Sequence, residues 1–257
     1  MEILKAVAGD FAALAALAEV EGWNYSVEDF LDLERAGCVT NLIARQGEGL
    51  AGMITLFDYG EIGWISNVLV ERSLRGTGIG HALFQEAVRL FNGKRTIALF
   101  SYQNSKGFYL KEGMRYDKDF SYVKFLGGRG GSAREGPDPE NAISMDSSVF
   151  GYSRKGLLNV MLSKGRIIYP KEGSGFAILR PDPHEATVGP VVAEDKNVGK
   201  ELLYAAFNML GAGSFAVVTD SGLERVEEVL KVSRMYLGEK PLTDFGRAFA
   251  FAGLEFG

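Results

Sequence analysis

Two periodicities of apolar residues alternate along this chain, and glycines mark the changes between them. Residues 64–70 are a β-branched and aliphatic run of strand length, and Ala82, Leu83, Ala87, Leu90 and Phe91 then recur at helical spacing. Between the two stands Arg75-Gly76-Thr77-Gly78-Ile79-Gly80. Upstream, residues 2–7 predict a strand. Phe11, Leu14 and Leu17 share one face of a helix that Asp10 caps and Gly22 ends. Ser26-Val27-Glu28-Asp29 has the capping-box pattern and opens a second helix through Ala36. Residues 39–45 and 50–58 read as strands around Gln46-Gly47-Glu48-Gly49, a hairpin signal. Residues 96–101 predict a strand, 104–112 a short helix, and 114–119 and 120–125 two more strands.

The pattern breaks at residues 127–139, Gly-Gly-Arg-Gly-Gly-Ser-Ala-Arg-Glu-Gly-Pro-Asp-Pro. Five glycines, two prolines and no apolar period predict a flexible linker. The expected division is a first domain over 1–126, a linker over 127–142 and a second domain over 143–257. In the second, residues 153–162 read as a helix, 166–169, 175–180 and 187–193 as strands, 195–210 as a helix, 215–219 as a strand, 223–231 as a helix and 247–252 as a last strand. That order repeats the later part of the first half.

Composition adds exclusions. Apolar residues at 46% and charged residues at 24% are ordinary for a globular protein, and no apolar run is long enough to span a membrane. A net charge of −5 argues against non-specific nucleic-acid binding. Cys38 is the sole cysteine, so an intrachain disulfide and a multi-cysteine metal site are excluded. The first residues carry acids and no basic leader, and a reducing cytoplasm is the expected home.

The chemistry centres on the glycine turn. Glycines remove the Cβ atoms that would keep a ligand from the backbone, and the first N–H groups of the following helix have no internal partner. The helix dipole favours negative charge there, which predicts an anion site, most often for phosphate. The dinucleotide fingerprint fails because His81 stands where its third glycine should be, and no Lys-Ser/Thr closes a P-loop.

Arg75-x-x-Gly78-x-Gly80, following a strand that ends in Val70, resembles the coenzyme A pyrophosphate motif of the GNAT superfamily of N-acetyltransferases, Gln/Arg-x-x-Gly-x-Gly/Ala. The predicted order β-α-α-β-β-β-α-β-α-β-β is that of the GNAT fold, an α/β arrangement on a mixed sheet, over residues 1–126. Asn104 with Tyr109 and Gly113-Met114 resembles the family's Asn…Tyr-x-x-x-Gly-Phe motif, with the asparagine closer to the tyrosine than in many members. In the second half, Gly189-Pro190-Val191 with Ala193, and Arg234-Met235, resemble the C-terminal domain of a tandem acetyltransferase family, a degenerate GNAT-like unit.

The resemblance implies acetyl transfer from acetyl-CoA to a primary amine, by direct attack and without a metal. It implies that Val68, Leu69 and Val70 pair with the pantetheine arm and that Arg75, Gly76, Thr77, Gly78, Ile79 and Gly80, with Asn104, hold the coenzyme. A backbone N–H near Leu69 would serve the oxyanion, and Tyr109 would protonate the leaving thiolate. Trp23, Asn24 and Tyr25 lie where the family lines its acceptor pocket. Many members carry a glutamate early on the strand that here begins with Trp64, so Glu61 or Asp58, just upstream, is the expected base. The second half's counterpart of the phosphate turn, Ala193-Glu194-Asp195-Lys196-Asn197-Val198-Gly199, has lost the arginine and two of the three glycines and gained two acids. One coenzyme site is therefore expected, in the first half. The acceptor is open between a small molecule and a protein amine, and the assembly between monomer and homodimer. The rival reading is a non-catalytic acyl-CoA sensor or scaffold.

Overall fold

The computed structural model describes residues 1–47, 49–219 and 222–257. Its first half runs β1 (Glu2–Lys5), α1 (Phe11–Glu19), α2 (Val27–Arg35), β2 (Val39–Gln46), β3 (Gly49–Tyr59), β4 (Ile62–Val70), α3 (Ile79–Leu90), β5 (Thr96–Tyr102), α4 (Lys106–Lys111) and β6 (Arg115–Phe125). The second runs β7 (Ala133–Glu135), α5 (Pro139–Phe150), α6 (Lys155–Lys164), β8 (Arg166–Pro170), β9 (Gly175–Arg180), β10 (Thr187–Ala193), α7 (Lys196–Leu210), β11 (Phe215–Val218), β12 (Val226–Gly238) and β13 (Ala248–Ala250).

Local chemistry explains most boundaries. The capping box at α2 forms: Asp29 N–H donates to Ser26 Oγ at 3.2 Å, and Ser26 N–H donates to Asp29 Oδ2 at 2.8 Å. Asp10 does not cap α1. Its carboxylate accepts from the Val7 N–H at 2.9 Å and pairs with Arg45, closing a 3-10 turn over Ala8–Asp10 instead. The hairpin turn between β2 and β3 contains Glu48, which lies outside the described residues.

Among the described residues, thirteen strands form one mixed sheet in the order β1-β2-β3-β4-β5-β12-β6-β11-β13-β10-β9-β8-β7. The order shows an exchange between the halves. β12, from the second half, pairs with β5 from Val232↔Tyr102 to Gly238↔Thr96. β6, from the first half, pairs with β11 from Phe215↔Lys124 to Val218↔Ser121. β6 and β12 pair with each other at the centre. Each half is thus completed by a strand of the other.

This exchange overturns the helix expected over 223–231. Leu223, Val226 and Leu230 have helical spacing, but the chain there becomes β12, because two unpaired strand edges offer it a full ladder. Local propensity is weak beside such pairing. The pairing with β6 shifts register between Glu228 and Leu230, so exposed Val229 bulges out and the next residues keep their faces. The two strands expected over 114–125 are one strand, β6. A helix is also found earlier than expected: Asp138 accepts from the Asn141 N–H at 3.1 Å, Pro139 takes the first turn, and α5 ends at Gly151 (φ +79°).

The glycine-rich segment is not a free tether. Gly131 lies against the α7 backbone so closely that a Cβ would stand 2.2 Å from the Ala205 nitrogen. Asn208 donates to the Gly130 carbonyl, Arg225 donates to the Arg129 carbonyl, and Ala133–Glu135 pairs with β8. Its glycines serve close approach rather than slack.

α3 covers one face of the first half with Ile79, Leu83, Phe84 and Ala87. α1 and α2 cover part of the other face with Phe11, Leu14 and Phe30. The remainder of that face, Phe57, Tyr59 and Trp64, packs on α5, α6 and the segment 252–256 from the second half. Among the described residues, no helix is long and apolar enough to cross a membrane.

Candidate active site

The turn after β4 presents a row of backbone N–H groups at the N-terminus of α3. Thr77 Oγ1 donates to the Leu74 carbonyl at 2.6 Å, and Gly76 (φ +79°) and Gly78 (φ +93°) supply left-handed conformations that side chains disfavour. The Ala82 N–H is bonded to the Gly78 carbonyl at 3.0 Å, which leaves the N–H groups of Ile79, Gly80 and His81 as the open first turn of α3. Arg72 and Arg75 flank it. Both contact Glu21 Oε1 at 2.7 Å, and Arg75 Nε donates to the Val70 carbonyl at 3.1 Å. Arg72 first, with Arg75, holds the Glu21 carboxyl below its usual range.

The counterpart in the second half is closed from within. Asp195 Oδ1 accepts from the Asn197 and Val198 N–H groups at 2.8 and 3.0 Å. The N-terminus of α7 therefore already holds a carboxylate, where that of α3 holds none from its own cap.

β4 opens beside this turn. It pairs with β5 only over Ile62↔Thr96, Gly63↔Ile97 and Trp64↔Ala98. Beyond Trp64 the strands diverge, and β4's edge toward β5 is unladdered through Val70. Asn67 adopts φ +49°, and the pairing with β3 shifts from Thr55↔Ser66 to Met53↔Leu69, so β4 carries a bulge at the opening. The bulge sends Val68 and Val70 toward the α3 cluster and Leu69 toward the α1 cluster.

Tyr109 lies on α4 in that α3 cluster, buried, with its ring 5.9 Å from Phe84 and 5.0 Å from Phe108. Burial pushes its hydroxyl well up, so it stays protonated at neutral pH. Glu112 at the end of α4 meets His81 Nδ1 at 2.8 Å and accepts from Gln85 Nε2 at 2.8 Å, which ties α4 to α3. Asn104 is exposed before α4 and accepts from Ser105 Oγ at 3.2 Å.

On the opposite face of the opening, residues of both halves meet. The Tyr25 hydroxyl lies 3.2 Å from Asn67 Oδ1 and 3.2 Å from Glu255 Oε1. Asn67 Nδ2 donates to Thr55 Oγ1 at 3.3 Å, and Thr55 donates to Asn41 Oδ1 at 2.7 Å. Trp23 stands edge-on to Tyr102, with ring centres 6.4 Å apart. Asn24 is exposed beside them. Burial pushes the Glu255 carboxyl up, against the pull of Arg180. Burial also pushes the Tyr102 hydroxyl to about 12, with help from Glu255 and Glu185.

The segment carrying Glu255 is pinned on both sides. Tyr59 donates to the Phe256 carbonyl at 3.2 Å, Arg180 donates to the Ala252 carbonyl at 2.9 Å, and Arg154 donates to the Gly257 carbonyl. Gly257 lies directly on the Trp64 indole, whose buried N–H has no acceptor among the described residues.

Of the coenzyme-side residues expected from the sequence, Val68 to Val70 and the Arg75–Gly80 turn border one opening, Tyr25 faces its other side through Asn67, and Asn104 bonds instead to Ser105. Glu61 does not join them. It is exposed before β4, 3.3 Å from Arg95. Asn67 is six residues farther along, about 20 Å at roughly 3.3 Å per residue. Asp58 is likewise exposed in the hairpin, where it meets Lys94 and the Gly60 N–H. Both carboxylates belong to the β3–β4 turn, at the wrong end of the strand. Sequence reasoning missed Asn67, Tyr102 and Glu255. An asparagine inside a strand run was the one available signal, since Asn tolerates the left-handed region.

Comparison with known proteins agrees with this architecture. Residues 12–114 match the Acetyltransferase (GNAT) family model, and residues 142–250 match the Acetyltransferase (GNAT) domain model. Among solved structures, a Pyrococcus horikoshii protein assigned as an acetyltransferase is 19% identical, with TM-score 0.85, over 100% of this chain and 95% of that one. A tandem GNAT protein from the clavulanic acid biosynthesis pathway is 14% identical, with TM-score 0.67, over 93% and 99%. A GCN5-related N-acetyltransferase from Sphaerobacter thermophilus is 15% identical, with TM-score 0.61, over 95% and 98%. No curated protein sequence matches the chain. The protein is an acyltransferase of α/β fold with two GNAT units. The chain belongs to the GNAT superfamily, as a tandem member.

Proposed function

We propose that the protein is an N-acetyltransferase that moves acetyl from acetyl-CoA to a primary amine, with one coenzyme site, in the first half. The observation that carries this reading is the juxtaposition of the open β4 edge with the glycine cradle at the N-terminus of α3. A coenzyme needs both: a backbone edge for its pantetheine amides and N–H donors for its pyrophosphate. Val68, Leu69 and Val70 provide the first, and Gly76 through Gly80, with Arg75 released from Glu21, the second. A backbone N–H near Leu69 stabilises the oxyanion, a contribution of about 3 kcal/mol for a preorganised donor. Tyr109 gives its proton to the leaving thiolate. The acceptor is a small-molecule or protein amine, met in the cleft lined by Trp23, Asn24 and Tyr25, in the cytoplasm.

Calorimetric titration with acetyl-CoA is expected to give one equivalent. Two equivalents would mean that the Asp195-capped helix also binds; no heat would remove the coenzyme reading. Tyr109→Phe is expected to lower kcat by about 100-fold, as loss of a general acid does, with acetyl-CoA affinity unchanged. A wild-type protein that binds the coenzyme and turns over no acceptor would instead support the sensor reading.

A further inference from the structure

The open stretch of β4, residues 65–70, carries no carboxylate, and the hairpin acids are at its far end. A carboxylate nevertheless stands at the opening, supplied by the other half. We propose that Glu255 receives the acceptor's ammonium group and takes its proton, so that the second half completes the active site of the first. The proposal rests on the N-acetyltransferase reading above.

Three observations carry it. The Tyr25 hydroxyl lies 3.2 Å from both Glu255 and Asn67, which sets the carboxylate one tyrosine hydroxyl away from the β4 bulge. The aromatic rings of Trp23, Tyr25 and Tyr102 line the approach and suit an organic cation. The segment is held for position rather than left loose, through Tyr59, Arg180 and Arg154. The groups facing Glu255 are Tyr25 from the α1–α2 connection, Tyr102 from β5, Tyr122 from β6, Arg180 from β9 and Glu185 from the β9–β10 loop, to which Tyr122 donates. Burial raises its proton affinity, which brings a carboxylate closer to the pKa that a base needs near neutrality.

The step balances simply. The ammonium proton moves to the Glu255 carboxylate, and the freed nitrogen lone pair forms the N–C bond at the thioester carbonyl. The C–S bond breaks, the thiolate takes the Tyr109 proton and the second nitrogen proton leaves to solvent. Glu255 then gives its proton to solvent and Tyr109 takes one from it, so that each turnover releases one proton.

The test compares wild type, Glu255→Gln and Glu255→Asp. Acetyl-CoA is supplied with tyramine, cadaverine, spermidine or lysine, and thiol release is followed against pH. Wild-type kcat/KM is expected to fall as pH drops through the Glu255 pKa. In Glu255→Gln it is expected to be about 100-fold lower, with that acid limb replaced by a rise toward the amine's own pKa. Glu255→Asp is expected to recover part of the rate. Acetyl-CoA affinity is expected to stay within about twofold in all three, since the coenzyme cradle is untouched. The Glu255 pKa is raised in the folded state, so the stability tied to its proton is present at low pH and lost as pH rises through that pKa. Glu255→Gln should therefore melt higher than wild type at neutral pH, which separates lost chemistry from lost structure. An unchanged rate and acid limb in Glu255→Gln overturns the proposal and leaves the acetyltransferase reading standing. A wild type that binds acetyl-CoA and acetylates none of these cations overturns the proposal as well and supports the sensor reading in place of the acetyltransferase one. Failure to bind acetyl-CoA at all overturns both.

Discussion

Gly78→Glu is expected to abolish acetyl-CoA binding, weakening it by at least about 1,000-fold, while the protein still folds. Two effects add. Gly78 holds φ +93° at the cap of α3, and a side chain forced into the left-handed region costs about 1–2 kcal/mol. Charge repulsion outweighs that strain. The new carboxylate stands at the N–H groups meant for a phosphate, and two like charges 4 Å apart repel by about 4 kcal/mol at an effective dielectric of 20. Gly78→Ala brings the backbone strain alone and is expected to lose about tenfold. No atom lies within 4 Å of the Cβ position, so the first atom of either side chain meets open space. Calorimetric titration of both variants, beside their melting curves, reads the result. Retained binding in Gly78→Glu would put the coenzyme elsewhere. The protein supplies its own precedent, because Asp195 places a carboxylate at the matching helix end of the second half.

Arg154→Met is expected to destabilise the fold by about 3–5 kcal/mol at neutral pH, the usual cost of leaving one member of a buried pair alone. Arg154 and Asp146 are both 0% exposed in their side chains, joined at 2.6 Å through Nη2 and 3.1 Å through Nε. The guanidinium also lies 4.0 Å from the Phe150 ring centre and donates to the Gly257 carbonyl. Methionine fills part of the space but leaves the Asp146 carboxylate without a counter-ion. At about 2–4 °C per kcal/mol for a chain of this size, the melting temperature is expected to fall by roughly 10 °C.

The deficit has a pH signature. Burial already raises the Asp146 pKa in the folded protein, and Arg154 pulls it back down. Without Arg154 it rises further. A carboxyl whose folded pKa exceeds its unfolded one favours folding below the unfolded value and loses that advantage as pH rises through the folded one. The destabilisation of Arg154→Met should therefore be largest at neutral pH and shrink toward acid. Adding Asp146→Asn should recover part of it at neutral pH and remove the pH dependence. A melting temperature within a degree or two of wild type would show that the pair does not hold α5, α6 and the 252–257 segment together.

What could be read from the sequence was what neighbours along the chain decide. The strand–turn–helix of residues 64–91 needed only a buried apolar run, glycines able to take positive φ, and one apolar helix face. The Ser26–Asp29 cap is likewise a contract between residues three apart. The asymmetry of the two phosphate turns was visible in Glu194 and Asp195, because a carboxylate one residue before a helix caps it.

The tertiary structure decided whatever depended on partners far away in the chain. Residues 223–231 carry a helical pattern, yet they help form the strand that completes the first half, since two open sheet edges outweigh a few tenths of a kcal/mol per residue of propensity. The glycine-rich segment promised slack and became a close-packed strap on α7, because the absence of Cβ atoms serves either purpose. Glu61 was an acid just upstream of the position where the family carries its glutamate and this chain has Trp64, but the strand opens at its other end. Glu255, in a short stretch with no periodicity, reaches Tyr25 across 230 residues of sequence. By itself the sequence determined the family and the local form of the strand–turn–helix that the proposed coenzyme site uses, both of them local patterns. The exchange of β6 and β12, and with it the meeting of the two halves at Tyr25 and Glu255, came only from long-range strand pairing, whose energy no short window of residues contains.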